Sequence, residues 1–589
     1  MTAKVISLNI KPGIQRDGTQ FDAPVYVDGK WVRFQRGRPR KMGGYRGIFQ
    51  NASGISRGMI MSSEDGLNYV YSGWSDGLEE WVTDNDDGVG SGPTTISLSD
   101  FTVDPLNLWQ FDIGFDSGGS GNQTLIAHPG LNLTNIDNTL NTPVLIGDFP
   151  TGAMSQVGVF TAAGTMVIGP PSDFTIASVN ALIAVGQTVT GTGVPANTTV
   201  SVVVVGSGTT TVTLSNTVST SGALTLTFNN NVSVSGGCVM LHPYLFVFGN
   251  NGLIKNCSAG NFQDWVSADS NENTVSAGKI VKGLPVRGGT TAPSGLFWSL
   301  DSLIRVSYAP TTVGTSTIYW RYDIVTSQSS ILSSSSVIEY DGLFFWCGVD
   351  RFLMYNGIVS EVANTMNINY FFDNVNYAQR QKVWATKIPR WGEIWWFYPK
   401  GNATECTDAI IYNVRDKVWY DAGEALGARR SAGTFSEVFR KPIWAGTETN
   451  DSSTYTLWQH ETGTNLVNLS QQSAIQSYFE TDSIGWVNGG PNQNDAVGMN
   501  NYIRLERVEP DFVQSEDMNL YVTGKGYASD VDQVSAAYVF SPTTLKIDLR
   551  EQRREMRLRF ESNIVNGNYE CGLNLLSADV GDMRSTGNP

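Results

Sequence analysis

A loose unit returns along this chain: an apolar or aromatic run, a turn of Gly, Asn or Asp, a second run, and a closing Trp, Tyr or Gly. It is found at residues 58–81, 124–134, 244–265, 295–306, 343–357, 393–421 and 442–463. With residues 151–237 set aside, the units recur every 40 to 60 residues or so (about the length of a four-stranded propeller blade). Runs such as Leu343-Phe-Phe-Trp346 and Ile394-Trp-Trp-Phe-Tyr398 do not alternate, which suits inner strands covered on both faces. Their rings supply the mass that holds blade to blade. The pattern predicts an all-β chain built on a β-propeller of six or seven blades. A series of β-sandwiches is the competing reading.

The remaining texture divides the chain. At 589 residues it is too long for one core. Only 16% of residues are charged while 62 are Gly, as expected of short strands and tight turns. The best helical periodicity covers 367–386, with Tyr370, Phe371, Val375 and Tyr377. Between 151 and 237, Asp173 is the only charged residue and Trp and Tyr are absent; Val- and Thr-rich alternation there reads as an inserted, sandwich-like β domain. The expected organisation is an extended arm with a hairpin (1–50), a first propeller part (51–150), the insert (151–237), a second propeller part (238–470) and a C-terminal β-sheet region (471–589). In the arm, Asp28-Gly29 is the expected type I′ turn, placing Tyr26 opposite Trp31.

The net charge of -16 argues against the whole protein gripping a phosphate backbone, although like charge suits a passage for DNA. Cys238, Cys257, Cys347, Cys406 and Cys571 are odd in number and far apart, which reads as packed, reduced thiols. No apolar run of about 18 residues and no signal-peptide core is present, so neither membrane spanning nor export by a signal sequence is expected.

Motifs with catalytic precedent each lack a part. Gly54-Ile-Ser-Arg-Gly58 satisfies the nucleophile-elbow pattern around Ser56, but strand-like residues follow where a helix is required. Ser75-Asp-Gly-Leu-Glu-Glu-Trp81 approaches a sialidase Asp-box with the wrong spacing, and Glu393 and Asp408 are carboxylates without a visible pairing. Asp84-Asn-Asp-Asp-Gly88 has its Gly one position early for a calcium loop, and His460-Glu-Thr-Gly-Thr464 lacks the second His of a zinc helix. The chain is therefore expected not to be an enzyme and to need no metal or cofactor. One charge feature stands out: Arg33, Arg36, Arg38, Arg40, Lys41 and Arg46, interleaved with Trp31, Phe34 and Tyr45. It reads either as a solvated run or as a docking arm.

Several segments together resemble the tail nozzle, or packaged-DNA stabilisation, family of short-tailed bacteriophages. They are Gly37-Arg-Pro-Arg-Lys-Met-Gly-Gly-Tyr45, Gly54-Ile-Ser-Arg-Gly58, Leu245-Phe-Val-Phe-Gly249, Asn261-Phe-Gln-Asp-Trp265, Ile411-Tyr-Asn-Val-Arg-Asp-Lys-Val-Trp-Tyr420 and Arg553-Arg-Glu-Met-Arg-Leu-Arg-Phe560. The insert's 185–200 is similar instead to β modules of phage tail and surface proteins. The resemblance implies a structural virion subunit, assembled in the host bacterial cytoplasm as a hexameric ring below the portal and adaptor. It would also meet tail fibre or needle proteins and pass double-stranded DNA without reading its sequence. The docking arm would then meet an adaptor, the portal or an adjacent subunit. The alternative is a carbohydrate-binding or glycosidase-like propeller acting as a receptor-binding tail protein.

Overall fold

The computed structural model describes residues 4–583 apart from 20–23, 65–66, 84–89, 97–104, 107, 116–122, 131–143, 147–151, 154–158, 181–182, 184, 186, 230–233, 263, 266, 287–291, 315, 436–439, 486–500 and 528. Its centre is a propeller of seven blades. Six are four-stranded antiparallel sheets, whose innermost strands are Gly58–Glu64, Gln110–Phe115, Gly237–Leu241, Ile280–Pro285, Ile338–Tyr340 and Trp384–Ile388. The seventh is Arg430–Thr434, Ile443–Thr449 and Tyr455–His460, and its fourth strand comes from the other end of the chain: Tyr45–Ala52 runs antiparallel to Tyr455–His460, with Tyr45 opposite His460 and Gly47 opposite Trp458. Each of the seven sequence units supplies strands of one blade.

The second strands carry the burial that their unbroken apolar runs require. Tyr244–Phe248, Ser294–Ser299 and Glu393–Tyr398 are buried at every position. Rings cross from blade to blade: Phe246 to Phe297 at 5.8 Å, Trp298 to Trp346 at 5.7 Å, Phe345 to Tyr412 at 6.2 Å, Phe397 to Trp444 at 5.1 Å and Phe49 to Trp81 at 5.8 Å. Between the first two blades, Trp109 fills the space over Gly73, where a Cβ would lie 2.2 Å from its ring. The helical periodicity yields a short helix, Ile368–Asn374, then a 3-10 turn, Tyr377–Lys382.

The insert is one six-stranded sheet, Val159–Val167 through Gly222–Asn229, whose two edge strands meet at a bridge between Thr188 and Thr199. It wraps a core of its own, including Met166, Phe174, Val212, Leu214, Leu226 and Phe228. The C-terminal unit is not made from C-terminal residues alone. Lys4–Ser7 pairs with Leu575–Met583, Asp28–Lys30 with Ser477–Glu480, and Arg38–Lys41 with Tyr569–Cys571.

This corrects the expected hairpin. Asp28-Gly29 is not its turn, because Asp28–Lys30 is committed to Ser477–Glu480 and Val25–Tyr26 pairs in parallel with Lys11–Ile14. The hairpin lies one step on, Val32–Gln35 against Arg38–Lys41, and turns at Arg36 and Gly37, both at positive φ (51° and 73°), the backbone of a two-residue I′ turn. One continuous core joins arm, propeller and C-terminal unit. It holds Trp31 and Phe34 from the arm, Trp395, Tyr420 and Trp444 from the last two blades, and Phe479, Phe560 and Tyr569 from the C-terminal unit.

Candidate functional site

The arm's predicted docking residues separate into two groups. Trp31, Arg33, Phe34, Lys41 and Tyr45 are buried within their own chain. Their rings are therefore not anchors for another protein, a correction that follows from the arm's strands pairing into the C-terminal unit. Trp31 donates from its indole nitrogen to Gly43 O at 3.0 Å, Phe34 lies 5.4 Å from Tyr420, and Tyr45 stacks on His460 at 4.9 Å. Lys41 donates to Gly567 O at 2.7 Å, and burial pulls its pKa down to about 8. Arg36 is exposed, and Arg38, Arg40 and Arg46 are half-buried. Arg40 approaches Glu570 at 3.3 Å, and Arg46 donates to Gln459 Oε1 at 3.0 Å.

Arg33 is the arm's electrostatic centre. At 1% exposure it lies between Glu393, at 0%, and Glu461. Nη1 and Nη2 donate to the Glu461 oxygens at 2.8 and 2.7 Å, Nη2 also to Glu393 Oε2 at 3.1 Å, and Nε lies 2.9 Å from Glu393 Oε1. Glu393 further accepts from Tyr420 at 2.7 Å and Trp395 at 2.9 Å, and Glu461 from Trp391 at 2.8 Å. Burial pushes the Glu393 carboxyl above its usual range against the pull of Arg33. For Glu461 burial acts the same way, but Arg33 outweighs it and the pKa falls.

A second clamp was not visible in the sequence. Arg16 donates to Asp421 at 2.7 and 2.9 Å and also pairs with Asp28, while Asp17 accepts from the Asn369 and Tyr370 amides at 2.9 and 2.8 Å. Beneath it, Asp408 is wholly buried and pushed up to about 7, by burial first and then by Asp421. Glu393 and Asp408 stand at opposite ends of paired strands, Glu393 opposite Asn413 and Asp408 opposite Tyr398. They do not form an acid and base pair.

Where the blades converge, a cavity of about 870 Å³ opens, lined by Arg57, Lys282, Lys382 and Lys387 together with Asp112, Glu339 and Asp341. Several of these charges are partnered. Arg57 grips Glu405 with two nitrogens at 2.7 and 2.8 Å, Lys382 reaches the same carboxylate at 2.7 Å, and Lys387 meets Glu339 at 3.1 Å. Asp112 accepts from the Met240 amide at 2.8 Å. Burial lowers the Lys282 pKa, with Cys238 and Asp112 opposing. Such walls offer donors and acceptors to a polar, uncharged or zwitterionic solute.

The other motifs have structural roles. Ser56 is buried, accepts from Ser72 Oγ at 2.8 Å, and is followed by a strand, Gly58–Glu64. Trp81 of the Asp-box look-alike donates to Asn51 Oδ1 at 3.1 Å. Residues 84–88 lie outside the described residues. The five cysteines are free and buried. Among the described residues no cluster of His, Cys, Asp or Glu is arranged to hold a metal, and no helix is long and apolar enough to cross a membrane.

No family model and no curated protein matches this chain. Solved structures do. One is titled a glycoside hydrolase, at 9% identity over 89% of this chain and 99% of that one, with a TM-score of 0.20. A second is a polysaccharide lyase of family PL25, an ulvan lyase bound to -[GlcA(1-4)Rha3S]-, at 9% identity over 74% and 92%, with a TM-score of 0.28. A third is an exported protein of Bacteroides fragilis, at 11% identity over 39% and 90%, with a TM-score of 0.16. Two of these three structures are carbohydrate-active enzymes, whereas the sequence reads as that of a non-enzyme.

Proposed function

We propose that this chain is a subunit of a tail nozzle of short-tailed bacteriophages, part of a ring that retains packaged DNA and lets it leave on infection. The observation that carries the reading is where three of the six family-like segments fall. Residues 37–45 hold the second strand of the arm's hairpin and lead into the strand that closes the seventh blade. Residues 411–420 span the last two strands of blade six, beneath the arm. Residues 553–560 include most of Glu555–Ser562, which sits between Ser477–Glu480 and Met518–Lys525 in the C-terminal unit. These are the joints of a one-piece wall, the construction a tube under load requires.

Exposed apolar side chains support lateral neighbours: Val313, Ile318 and Ile324 on the outer hairpin of blade four, and Val513 (78% exposed), Val531 and Leu545 (87%) on the C-terminal unit. The partners on this reading are further copies in a hexameric ring, an adaptor or portal ring, and fibre or needle proteins. Light scattering and electron microscopy of the purified chain, with immunogold labelling of virions, test it. Rings with an axial hole, located at the tail tip, support it; a chain that stays monomeric and is absent from tails overturns it.

The axial cavity favours a second reading, a carbohydrate-binding or glycosidase-like propeller acting as a receptor-binding tail protein. Its size suits a sugar ligand (ligand pockets run about 300–1,000 Å³), and Asp112, Glu339 and Asp341 are the carboxylates at hand. Release of reducing ends from a polysaccharide panel, lost in Glu339→Gln, would support it. No binding and no turnover across the panel would remove it.

A further inference from the structure

Outside the axial cavity, beside the strand that closes the ring, lies a pocket of about 150 Å³ walled by Tyr45, Arg429, Arg430, Glu448, Thr456 and Trp458 among others. Arg430 is 3% exposed. Its Nε donates to His460 Nε2 at 2.9 Å, and its Nη1 to the carbonyls of Leu426 at 3.2 Å and Arg429 at 2.9 Å. Nη2 of Arg430 and Nε of Arg429 are buried without an acceptor of their own, while the Tyr45 hydroxyl is a side-chain hydrogen-bond partner of the Arg430 guanidinium. The guanidinium of Arg430 lies 5.0 Å from the Tyr45 ring centre and 5.2 Å from that of Trp458.

The charge in this wall is out of balance. Its carboxylate, Glu448, pairs with Arg429, so Arg430 has ring faces, carbonyls, His460 and the Tyr45 hydroxyl but no counter-ion in contact. Burial pulls its pKa down to about 10, opposed by Tyr45 and Glu448. His460 supplies a lone pair and no charge, since burial and Arg430 hold its pKa well below the usual range. A buried cation with an unfilled donor is a costly arrangement unless an anion completes it.

We propose that this pocket binds a carboxylate-bearing pyranose, a uronic or sialic acid unit of a glycan. The carboxylate sits against the guanidiniums of Arg430 and Arg429, which line the pocket, in charge-assisted hydrogen bonds. The half-buried Trp458 offers the flat apolar surface on which a sugar ring stacks, and Thr447, Thr449 and Thr456 line the side where its hydroxyls lie. The volume, below the range of about 300–1,000 Å³ for drug-sized ligands, suits a single ring. An acidic protein side chain would use the cations and leave the aromatic and hydroxyl walls idle, which is why a sugar is the better fit.

The test is saturation-transfer NMR and calorimetry on the full chain with methyl glycosides of glucuronate, galacturonate and N-acetylneuraminate, against methyl glucoside and acetate. At least one acidic sugar should bind at least about tenfold more tightly than glucoside or acetate, one charge-assisted hydrogen bond's worth. Glu448→Gln, at an exposed position and so compatible with folding, should tighten that binding about threefold by releasing Arg429. Trp458→Ala should weaken it. Acidic sugars that bind no better than acetate, which would indicate a protein carboxylate as occupant, or an affinity unmoved by Glu448→Gln, would overturn the proposal.

Discussion

Replacing Arg33 by Met removes the cation held between Glu393 and Glu461 and leaves two buried carboxylates facing each other. Breaking one side of a buried pair costs about 3 to 5 kcal/mol, and here both acids lose the same partner. Nearly all of that cost should fall at pH 7 and above. In the native chain Glu461 is held below its ordinary pKa, so its contribution is present above the unfolded value of about 4.3 and is lost as pH falls. Without Arg33 both carboxyls rise together. Each then protonates on folding, and the variant's deficit shrinks toward pH 4. Hydrogen exchange of the full chain is the assay, because it reports on the arm separately from the propeller. At pH 7.5 the amides of Val32–Gln35 and Arg38–Lys41 should exchange about 100-fold faster or more than in the native chain, given the factor of ten per 1.4 kcal/mol. At pH 4.5 the ratio should fall by at least tenfold. Equal protection of these strands in variant and native chains at pH 7.5 would refute the claim that this ion cluster seats the arm.

Further outcomes follow from other contacts. Because Val159 and Asn229 are register partners, replacing 159–229 by a short Gly/Ser loop should leave a soluble propeller with its near-ultraviolet aromatic spectrum intact; aggregation would contradict the insert's independence. Asp408 is raised to about 7, so its contribution is present at low pH and is lost as pH rises through 7; Asp408→Asn should flatten that fall in thermal midpoint between pH 5 and 8. Changing Arg36, Arg38 and Arg40 together to Glu should leave the monomer folded but weaken incorporation into tails, more so in high salt, as measured by virion composition.

The blades were legible because their signal is local: each of the seven units is a run, a turn and a run within about 30 residues, and burial on both faces erases alternation within single strands such as Glu393–Tyr398. The arm's place is not legible locally because its partners are remote. Arg33 stands 360 residues from Glu393 and 428 from Glu461, so nothing nearby reveals that a run of cations includes a core residue. The flanking Val32 and Phe34 were the available clue, since Val32–Gln35 has almost no polar face. The turn was misplaced for a related reason. Asp-Gly is the stronger local signal, yet pairing of Asp28–Lys30 with Ser477–Glu480 overrides it, and Arg36-Gly37 turns instead. The open donors of Arg430 have no sequence signature at all, for they depend on which groups fail to reach it.

Closing the ring with Tyr45–Ala52 sets the order of events during synthesis. The strand is made early, and its partner lies about 413 residues later, the separation of Arg46 from Gln459. At roughly 5 to 20 residues per second, the ribosome needs on the order of 20 to 80 s to deliver that partner. Throughout this interval a strand bearing Phe49 waits with no edge to join, and on a crowded polysome the nearest acceptor is the seventh blade of another copy. The same joint that makes the finished ring continuous thus also opens a low-cost route to exchange of this strand between chains.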